Sequence, residues 1–336
     1  MIEYADVIVD LQQGDSGKGK IASYLAEKGD YTHVIRYNGG NNAGHTIYVD
    51  GKKVVTHSIP VGAIHGIKSV IGPGCVLNVE HFFNELREIE ESGFNVRHLV
   101  KVAGNTHIIT ESHLKEEGSE TKIGTTRRGN GPAYRDKYDR KGIRAADVPE
   151  LRPFIIDMYE ELYGDECCRI LFEGAQGFYL DIDWGEYPYV TSSHCTVGSA
   201  VMNGVPPQKI RKVFGVAKAY ETYVGTKKFE PQEEVFSLIR EAGKEYGATT
   251  GRPRQCNWLN IDNLIKASRV NGVTDLVINK ADVLKEVSVW KAYLQGKVVE
   301  FSSEESFRAK IVESLSCKNI YWSEDTYSIG KKISSI

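Results

Sequence analysis

The chain has 336 residues, enough for one large domain or two ordinary ones and for a sizeable core without staples. Hydrophobic residues make up 41% and charged residues 26%, which excludes a collagenous, coiled-coil or disordered chain. A net charge of −3, from 42 basic and 45 acidic residues, gives no general attraction to nucleic acid or anionic lipid. No apolar run reaches the roughly 18 residues of a membrane helix. The start, MIEYADVIVD, has no basic n-region and no signal-like stretch, so a cytoplasmic location is expected, with neither membrane nor nucleic acid as partner. The six cysteines form no CxxC pair, which argues against a zinc ribbon or a disulfide scaffold and for reduced, mostly buried thiols.

In chain order, Val7 to Leu11 reads as a buried strand, followed by a Gly-rich turn and a helix from about Lys18 to Lys28. Val34 to Tyr37 is a strand, and Thr46 to Ile59 alternates around Asp50-Gly51, a strong hairpin signal. Ser69 to Ile71 and His98 to Ala103 are strands, with a helix over Glu80 to Glu91 between them. Residues 117–148 lack periodicity and are rich in Gly, Arg and Thr; they read as a long polar loop. Helices are expected at Pro153 to Tyr163, Glu234 to Tyr246, Ile261 to Val270 and Glu304 to Leu315. Extended segments are expected at Arg169 to Phe172, Val213 to Tyr223 and Leu276 to Asn279, with a hairpin from Val287 to Phe301 turning at Gln295-Gly296. This alternation predicts an α/β fold: a mostly parallel central sheet flanked by helices, with long ligand-binding loops and small antiparallel hairpins. No linker is visible, so one domain over residues 1–336 is expected.

The chemistry is written in glycine-rich segments at strand ends. Gln12 to Lys20, QGDSGKGK after the first Gln, follows a strand and opens a helix; such a turn aims backbone N–H groups and a helix N-terminus at phosphate, and Lys18 adds a point charge. Gln12 stands where the GxxxxGK[ST] pattern has its first Gly, and Gly19 where it has the magnesium-binding hydroxyl. Asp15, a carboxylate inside a phosphate cradle, calls for magnesium, a proton to remove, or both. Asn38 to Thr46 forms a second loop between strands, in which His45 directly follows Gly44; a lone His is usually structural, but this placement suits a catalytic one equally. Asn279-Lys280-Ala281-Asp282 ends an apolar strand, where a carboxylate can accept both N1–H and the exocyclic amine of guanine. Arg252 and Arg254, two apart in a Thr/Gly loop, suit carboxylate or phosphate. Gly124 to Tyr134 and Phe172 to Gly177 supply two further Gly-rich candidates.

Together QGDSGKGK, RYNGGNNAGHT, GTTRRGNGPAYRDK, FEGAQGFYLDIDWGEYPYVTSS, YGATTGRPRQCNWL and NKAD resemble the adenylosuccinate synthetase family, in the family's order and over most of the chain to about residue 285. The chain is similar to a short form, expected to lack much of the helical insertion before FEGAQG and part of the family's C-terminal region. The resemblance implies GTP-dependent joining of IMP and L-aspartate to adenylosuccinate, with GDP and phosphate released and magnesium as cofactor. It implies that Gly14, Asp15, Ser16, Gly17, Lys18, Gly19, Lys20, Gly44, His45 and Thr46 line the GTP phosphates, and that Lys280, Ala281 and Asp282 meet guanine. Asn42, Ala43, Thr126, Gln176, Thr191 and Arg252 would hold IMP, and Arg140 would reach the IMP of a neighbouring subunit, which implies a homodimer. Ala248, Thr249, Thr250, Gly251, Arg252, Pro253 and Arg254 would form the aspartate loop, with Arg254 also facing nucleotide. Asp15 would be catalytic base and magnesium ligand, the Gly44 carbonyl a second ligand, His45 the general acid, and Lys18 a third catalytic group. Ser16, Asn38, Asn41, Arg127 and Pro253 depart from residues common in the family, and none of them removes a catalytic group. Trp322 to Ser328 is the candidate for the family's ribose-contacting loop. The competing readings are a regulatory GTPase-like switch using the same cradle and NKAD, and a small-molecule kinase.

Overall fold

Apolar runs such as Val7–Val9 and Leu276–Ile278 have no polar face, because the sheet they enter is covered on both sides. In the computed structural model, which describes residues 1–120, 123–247 and 251–335, Val7, Val9, Phe172, Leu276 and Ile278 join one core while Ile8, Leu171 and Val277 join the other. This is the two-residue period of a strand read from its two faces. Among the described residues the central sheet has ten strands. Their order is Lys331–Ser335, Asn319–Trp322, Asp275–Asn279, Ile210–Lys218, Ile2–Asp10, Cys168–Glu173, His33–Arg36, Lys68–Ile71, Val100–Ala103 and Ile155–Ile156. Every neighbouring pair is parallel except the first.

One core packs helices Val235–Gly243, Ile261–Asn271 and Glu304–Ser314 through Phe236, Leu264 and Phe307. The other packs Lys18–Lys28 and Val79–Glu91 through Ile21, Leu25, Phe82 and Leu86. The expected hairpins form at His45–Val49 with Lys52–Thr56, and at Lys291–Leu294 with Lys297–Glu300. Asp50-Gly51 and Gln295-Gly296 all take positive φ, the geometry of a type I′ turn that matches the strand twist. Tyr220–Tyr223, Gln255–Asn260 and the second hairpin make a smaller four-stranded sheet. Five of the six cysteines are buried and all six are free. Among the described residues no helix is long and apolar enough to cross a membrane.

Several expectations are corrected. Residues 117–148 are not one loop: helix Asn130–Tyr138 lies within them and buries Ala133 and Tyr134. Only those two apolar residues face inward, too few to show a period, and Pro132 sits in the first turn, where a missing N–H costs nothing. The helix expected over Pro153 to Tyr163 is a 3₁₀ turn Pro149–Phe154, a short edge strand Ile155–Ile156, and a helix Met158–Tyr163 restarted by Asp157, whose carboxylate caps Tyr159 N and Glu160 N. Val213 to Tyr223 divides at Ala219 between the two sheets. Helix Ala281–Val287 and the strands Asn319–Trp322 and Lys331–Ser335 were not anticipated.

Helix Asn130–Tyr138 braces the second Gly-rich loop. The buried Tyr134 hydroxyl accepts from Gly39 N at 2.9 Å and donates to the Gly74 carbonyl at 2.9 Å. Tyr134→Phe strands the Gly39 N–H and is expected to lower stability by about 1–3 kcal/mol. Denaturant unfolding of parent and variant checks this, and equal midpoints would contradict it.

Candidate active site

Asp10, Arg36, Glu173, Lys218, Asn279 and Trp322 each end a parallel strand, and the loops that follow them gather along one edge of the sheet. Ligands in open α/β sheets bind at that edge. The first loop is organised by Asp10, a buried carboxylate that sequence reasoning passed over. It accepts from Gln12 N at 2.9 Å, Ser16 N at 3.1 Å, Ser16 Oγ at 2.9 Å and Lys18 Nζ at 3.0 Å. The signal for it was an Asp closing the apolar run VIVD just before a glycine turn. Gln12, which breaks the expected glycine pattern, ties the loop to the next strand. Its Nε2 donates to the Lys218 and Tyr220 carbonyls and its Oε1 accepts from Lys218 N.

Two glycines here are dictated by neighbours. A Cβ on Gly17 would lie 2.8 Å from Asn279 Nδ2, which donates to the Ser16 carbonyl, and φ there is +99°. A Cβ on Gly19 would lie 2.7 Å from the His45 Cβ. Gly19 therefore replaces the usual hydroxyl residue because the second loop packs on that face of the helix. Lys18 also donates to the Gln176 carbonyl, so one ammonium joins the first loop to the Gly174–Gly177 turn. Asn38 joins the second loop to the same turn: it accepts from Ala175 N at 2.8 Å and donates to the Ala175 carbonyl at 3.2 Å. Gln176 Nε2 donates to Asn42 Oδ1 at 3.0 Å.

His45 is buried between Glu173 and Arg36. Its Nδ1 lies 2.5 Å from Glu173 Oε1, and Arg36 Nη1 lies 3.3 Å from Nε2. Arg36 Nη2 meets the same Glu173 oxygen at 2.8 Å, and Val61 N donates to the other at 2.9 Å. These partners assign the proton to Nδ1. Burial and the Arg36 guanidinium outweigh Glu173 and press His45 down to about 4, so the ring is neutral near pH 7. Burial would raise Glu173, but Arg36 and His45 outweigh it and hold the carboxyl at about 2. The sequence showed Glu173 as part of a motif and gave it no role.

Asp15 differs from Asp10 in every respect. Its backbone is left-handed at φ 57°, its side chain is 43% exposed, and its Oδ2 faces Arg254 Nε at 2.9 Å. Ser16 and Gly14 complete the turn: the single proton of the Ser16 hydroxyl goes to Asp10 Oδ1 at 2.9 Å, with Gln12 Oε1 and the Gly14 carbonyl farther off at 3.1 and 3.3 Å. Lys280, also left-handed, donates to the Gly243 carbonyl at 2.9 Å, while Ala281 is buried and Asp282 exposed. Lys20 does not point to Asp15: its Nζ donates to Ser323 Oγ at 2.7 Å and the Asp325 carbonyl at 2.9 Å. Burial lowers Lys20 to about 8 against the opposing pull of Asp325 and Asp282, which places the loop after Trp322 beside NKAD.

Other expected residues are more scattered. Ala43 is buried, and its carbonyl accepts from His57 Nδ1; Gly44 and Thr46 flank His45 at the start of the hairpin. Thr126 and Arg140 are exposed and Thr191 half-buried, and among the described residues their side chains make no hydrogen bond or ion pair with these loops. Gly251 takes φ 63°, and Gly247 N donates to the Arg252 carbonyl, so Gly251 to Arg254 return beside Glu245 with Pro253 exposed. Ala248, Thr249 and Thr250 lie outside the described residues. Asp181, Asp183 and His194 also come together, but the Asp181 oxygens already accept from the amides of Asp183, Trp184 and Cys195.

A parallel sheet carrying a phosphate cradle, an exposed acid within it and an NKAD loop on the same edge defines a guanine-nucleotide-using α/β enzyme. A family profile for adenylosuccinate synthetase matches residues 7–164 and 148–334. The enzyme named adenylosuccinate synthetase from Caldanaerobacter subterraneus is 37% identical, with 96% of this chain and 89% of that protein aligned. That from Brevibacillus brevis is 39% identical over the same shares. The fully ligated adenylosuccinate synthetase of Plasmodium falciparum superposes with a TM-score of 0.77 at 31% identity, covering 90% of this chain and 85% of that one. A cyanophage S-2L succinoaminodeoxyadenylate synthetase shares the fold, with a TM-score of 0.72 at 22% identity. The chain belongs to the adenylosuccinate synthetase family. It is a ligase of purine biosynthesis that joins IMP and L-aspartate at the expense of GTP, releasing adenylosuccinate, GDP and phosphate. The first alignment spans 388 positions against 336 residues here, so the relative has internal segments this chain lacks.

The buried neutral imidazole has a consequence for stability. As pH falls from 6.5 towards 4, the unfolded chain takes up a proton that folded His45 does not, so stability falls, by at most about 1.4 kcal/mol per pH unit. Glu173, whose folded value is depressed, contributes fully above its unfolded value of 4.5 and loses that contribution as pH falls towards 2. His45→Asn is expected to flatten the first decline. Urea unfolding at pH 7 and pH 5 measures it, and an equal loss in parent and variant would refute the assignment.

Proposed function

We propose that Asp15 is the base that removes the N1 proton of IMP, and that Asp282 selects guanine. The observation that supports the first role is the contrast between two acids of one loop. Asp10 is buried and saturated, whereas Asp15 is held out by a left-handed backbone with its carboxylate half-exposed among the phosphate-loop amides. Loss of the N1 proton puts charge on O6, which then attacks the γ-phosphorus of GTP and turns a poor leaving group into a phosphate ester. The aspartate amine displaces that phosphate at C6. Lys18, Gly17 and the amides from Gly14 to Lys20 meet the phosphates. His45, fixed by Glu173, is neutral before GTP arrives; the incoming phosphate charge favours its protonated form, which stabilises the transferring group.

The donor set suits magnesium: the Asp15 carboxylate and the Gly44 carbonyl would offer it hard oxygen donors. Magnesium, when bound, offsets charge developing on the phosphate oxygens. Asn42, Ala43, Gln176, Thr126 and Thr191 are assigned to IMP, and Gly251 to Arg254, with Arg252 foremost, to the carboxylates of aspartate. Arg140 is exposed in the turn just after helix Asn130–Tyr138, which supports the reading that it serves the neighbouring subunit of a homodimer. The enzyme is assigned to the cytoplasm.

Turnover is followed by the ultraviolet change on forming adenylosuccinate. Asp15→Asn is expected to lower kcat by at least about a thousandfold with IMP still bound, and parent-like turnover would sink the base assignment. Asp282→Asn is expected to weaken GTP by about ten- to a hundredfold, because its amide presents a donor to the guanine amine. The same amide matches xanthine, so XTP should gain as a substrate. Unchanged GTP affinity would remove the guanine-reading role.

A further inference from the structure

We propose that Glu245 is a positioning residue for the ligase reaction: its buried carboxylate holds the Arg254 guanidinium at ion-pair distance from Asp15. This rests on the reading of Asp15 as the base. Glu245 is 1% exposed and lies between three donors. Its Oε1 accepts from Lys218 Nζ at 3.0 Å and Tyr220 Oη at 2.6 Å, and its Oε2 accepts from Arg254 Nη1 at 2.6 Å. The main chain is pinned as well: Arg254 N donates to the Glu245 carbonyl at 2.9 Å, and Arg240 Nε donates to the Arg254 carbonyl at 2.8 Å.

One rigid guanidinium plane therefore hydrogen-bonds Glu245 through Nη1 and forms an ion pair with Asp15, whose Oδ2 lies 2.9 Å from Nε without an aligned hydrogen bond. The plane cannot swing towards one without leaving the other, so the place of Glu245 sets how close the guanidinium charge lies to Asp15. Asp15 needs this guidance because its loop backbone is left-handed and its carboxylate half-exposed. The four groups alternate in sign, Lys218, Glu245, Arg254, Asp15, from the interior to the cradle. Lys218 is 1% exposed, donates to Thr222 Oγ1 at 2.6 Å, and belongs to the strand end to which Gln12 is tied. Burial would raise the Glu245 carboxyl, but Lys218 and Arg254 outweigh it and hold it at about 2, so it stays an anion throughout the working range.

Glu245 also neutralises Lys218, and the test must separate that from holding Arg254. Two variants remove the charge problem while spoiling the geometry. Glu245→Asp keeps the anion but is one methylene too short to span Lys218 and Arg254. The double variant Lys218→Met/Glu245→Gln removes both charges of the interior pair. Each is expected to fold, to keep the KM for IMP within about threefold, and to lose about 10- to 100-fold in kcat. A second readout is chemical rescue: guanidinium ion should raise the rate of Arg254→Ala and should do so poorly in Arg254→Ala/Glu245→Asp. Parent-like kcat in either Glu245 variant, or equal rescue with and without the full-length acid, overturns the proposal. An active Asp15→Asn would instead remove the base reading on which it rests, so the two failures are distinct.

Discussion

The carboxylate of Asp10 is the contact on which the nucleotide end of the molecule depends. It sits at the tip of the central strand of the parallel sheet, out of water, and takes up two backbone amides, a hydroxyl and an ammonium from the segment Gln12 to Lys18. A buried anion with that many donors cannot move without leaving several groups unpaired, so the loop is shaped before any ligand arrives. Lys18 divides its charge between this acid and the turn after Cys168–Glu173, which ties the cradle to the neighbouring strand. The same loop then has only one acid left for chemistry, and that acid is the exposed one.

The rest of the site is built by mutual exclusion among loops that share one sheet edge. Gly17 yields to Asn279, and Gly19 yields to His45, so the NKAD loop and the hairpin loop each press into the phosphate helix where a larger residue would stand. Asn38 clasps Ala175, and Tyr134 clasps Gly39. These contacts are polar, short and buried, and they make the relative placement of four loops a property of the ligand-free fold. Preorganisation of this kind suits a reaction in which charge moves from a purine ring to a phosphate and must be met in place.

Charge is arranged in two strings that end at the two side chains proposed as catalytic, His45 and Asp15. Arg36 and Glu173 hold His45 from behind, and Lys218 and Glu245 hold Arg254, which meets Asp15. In each string a carboxylate is kept ionised by cations within the protein rather than by water, so its direction is fixed as firmly as its charge. The two strings approach the cradle from opposite sides of the first strand, one from Cys168–Glu173 and the other from Ile210–Lys218.

Local chemistry was legible because local rules demanded it. Glycines before a lysine pair, an acid among them, Asp-Gly between alternating arms and an apolar run ending in NKAD each force a conformation on their own neighbourhood, and the alternation of strands and helices forces a parallel sheet. The helix Asn130–Tyr138 and the broken segment Pro149–Tyr163 were misread because short elements with one or two inward residues leave no period in a sequence. Asp10, Glu173 and Glu245 drew little attention for a different reason. Each is one acid among 45 in the sequence, and its importance comes from cations brought to it from distant parts of the chain: Lys18, Arg36, Lys218 and Arg254. The sequence alone put forward the residues proposed to carry the chemistry. Which carboxylates are buried, paired and aimed was decided by strand order, because only packing across the sheet sets the distance between charges.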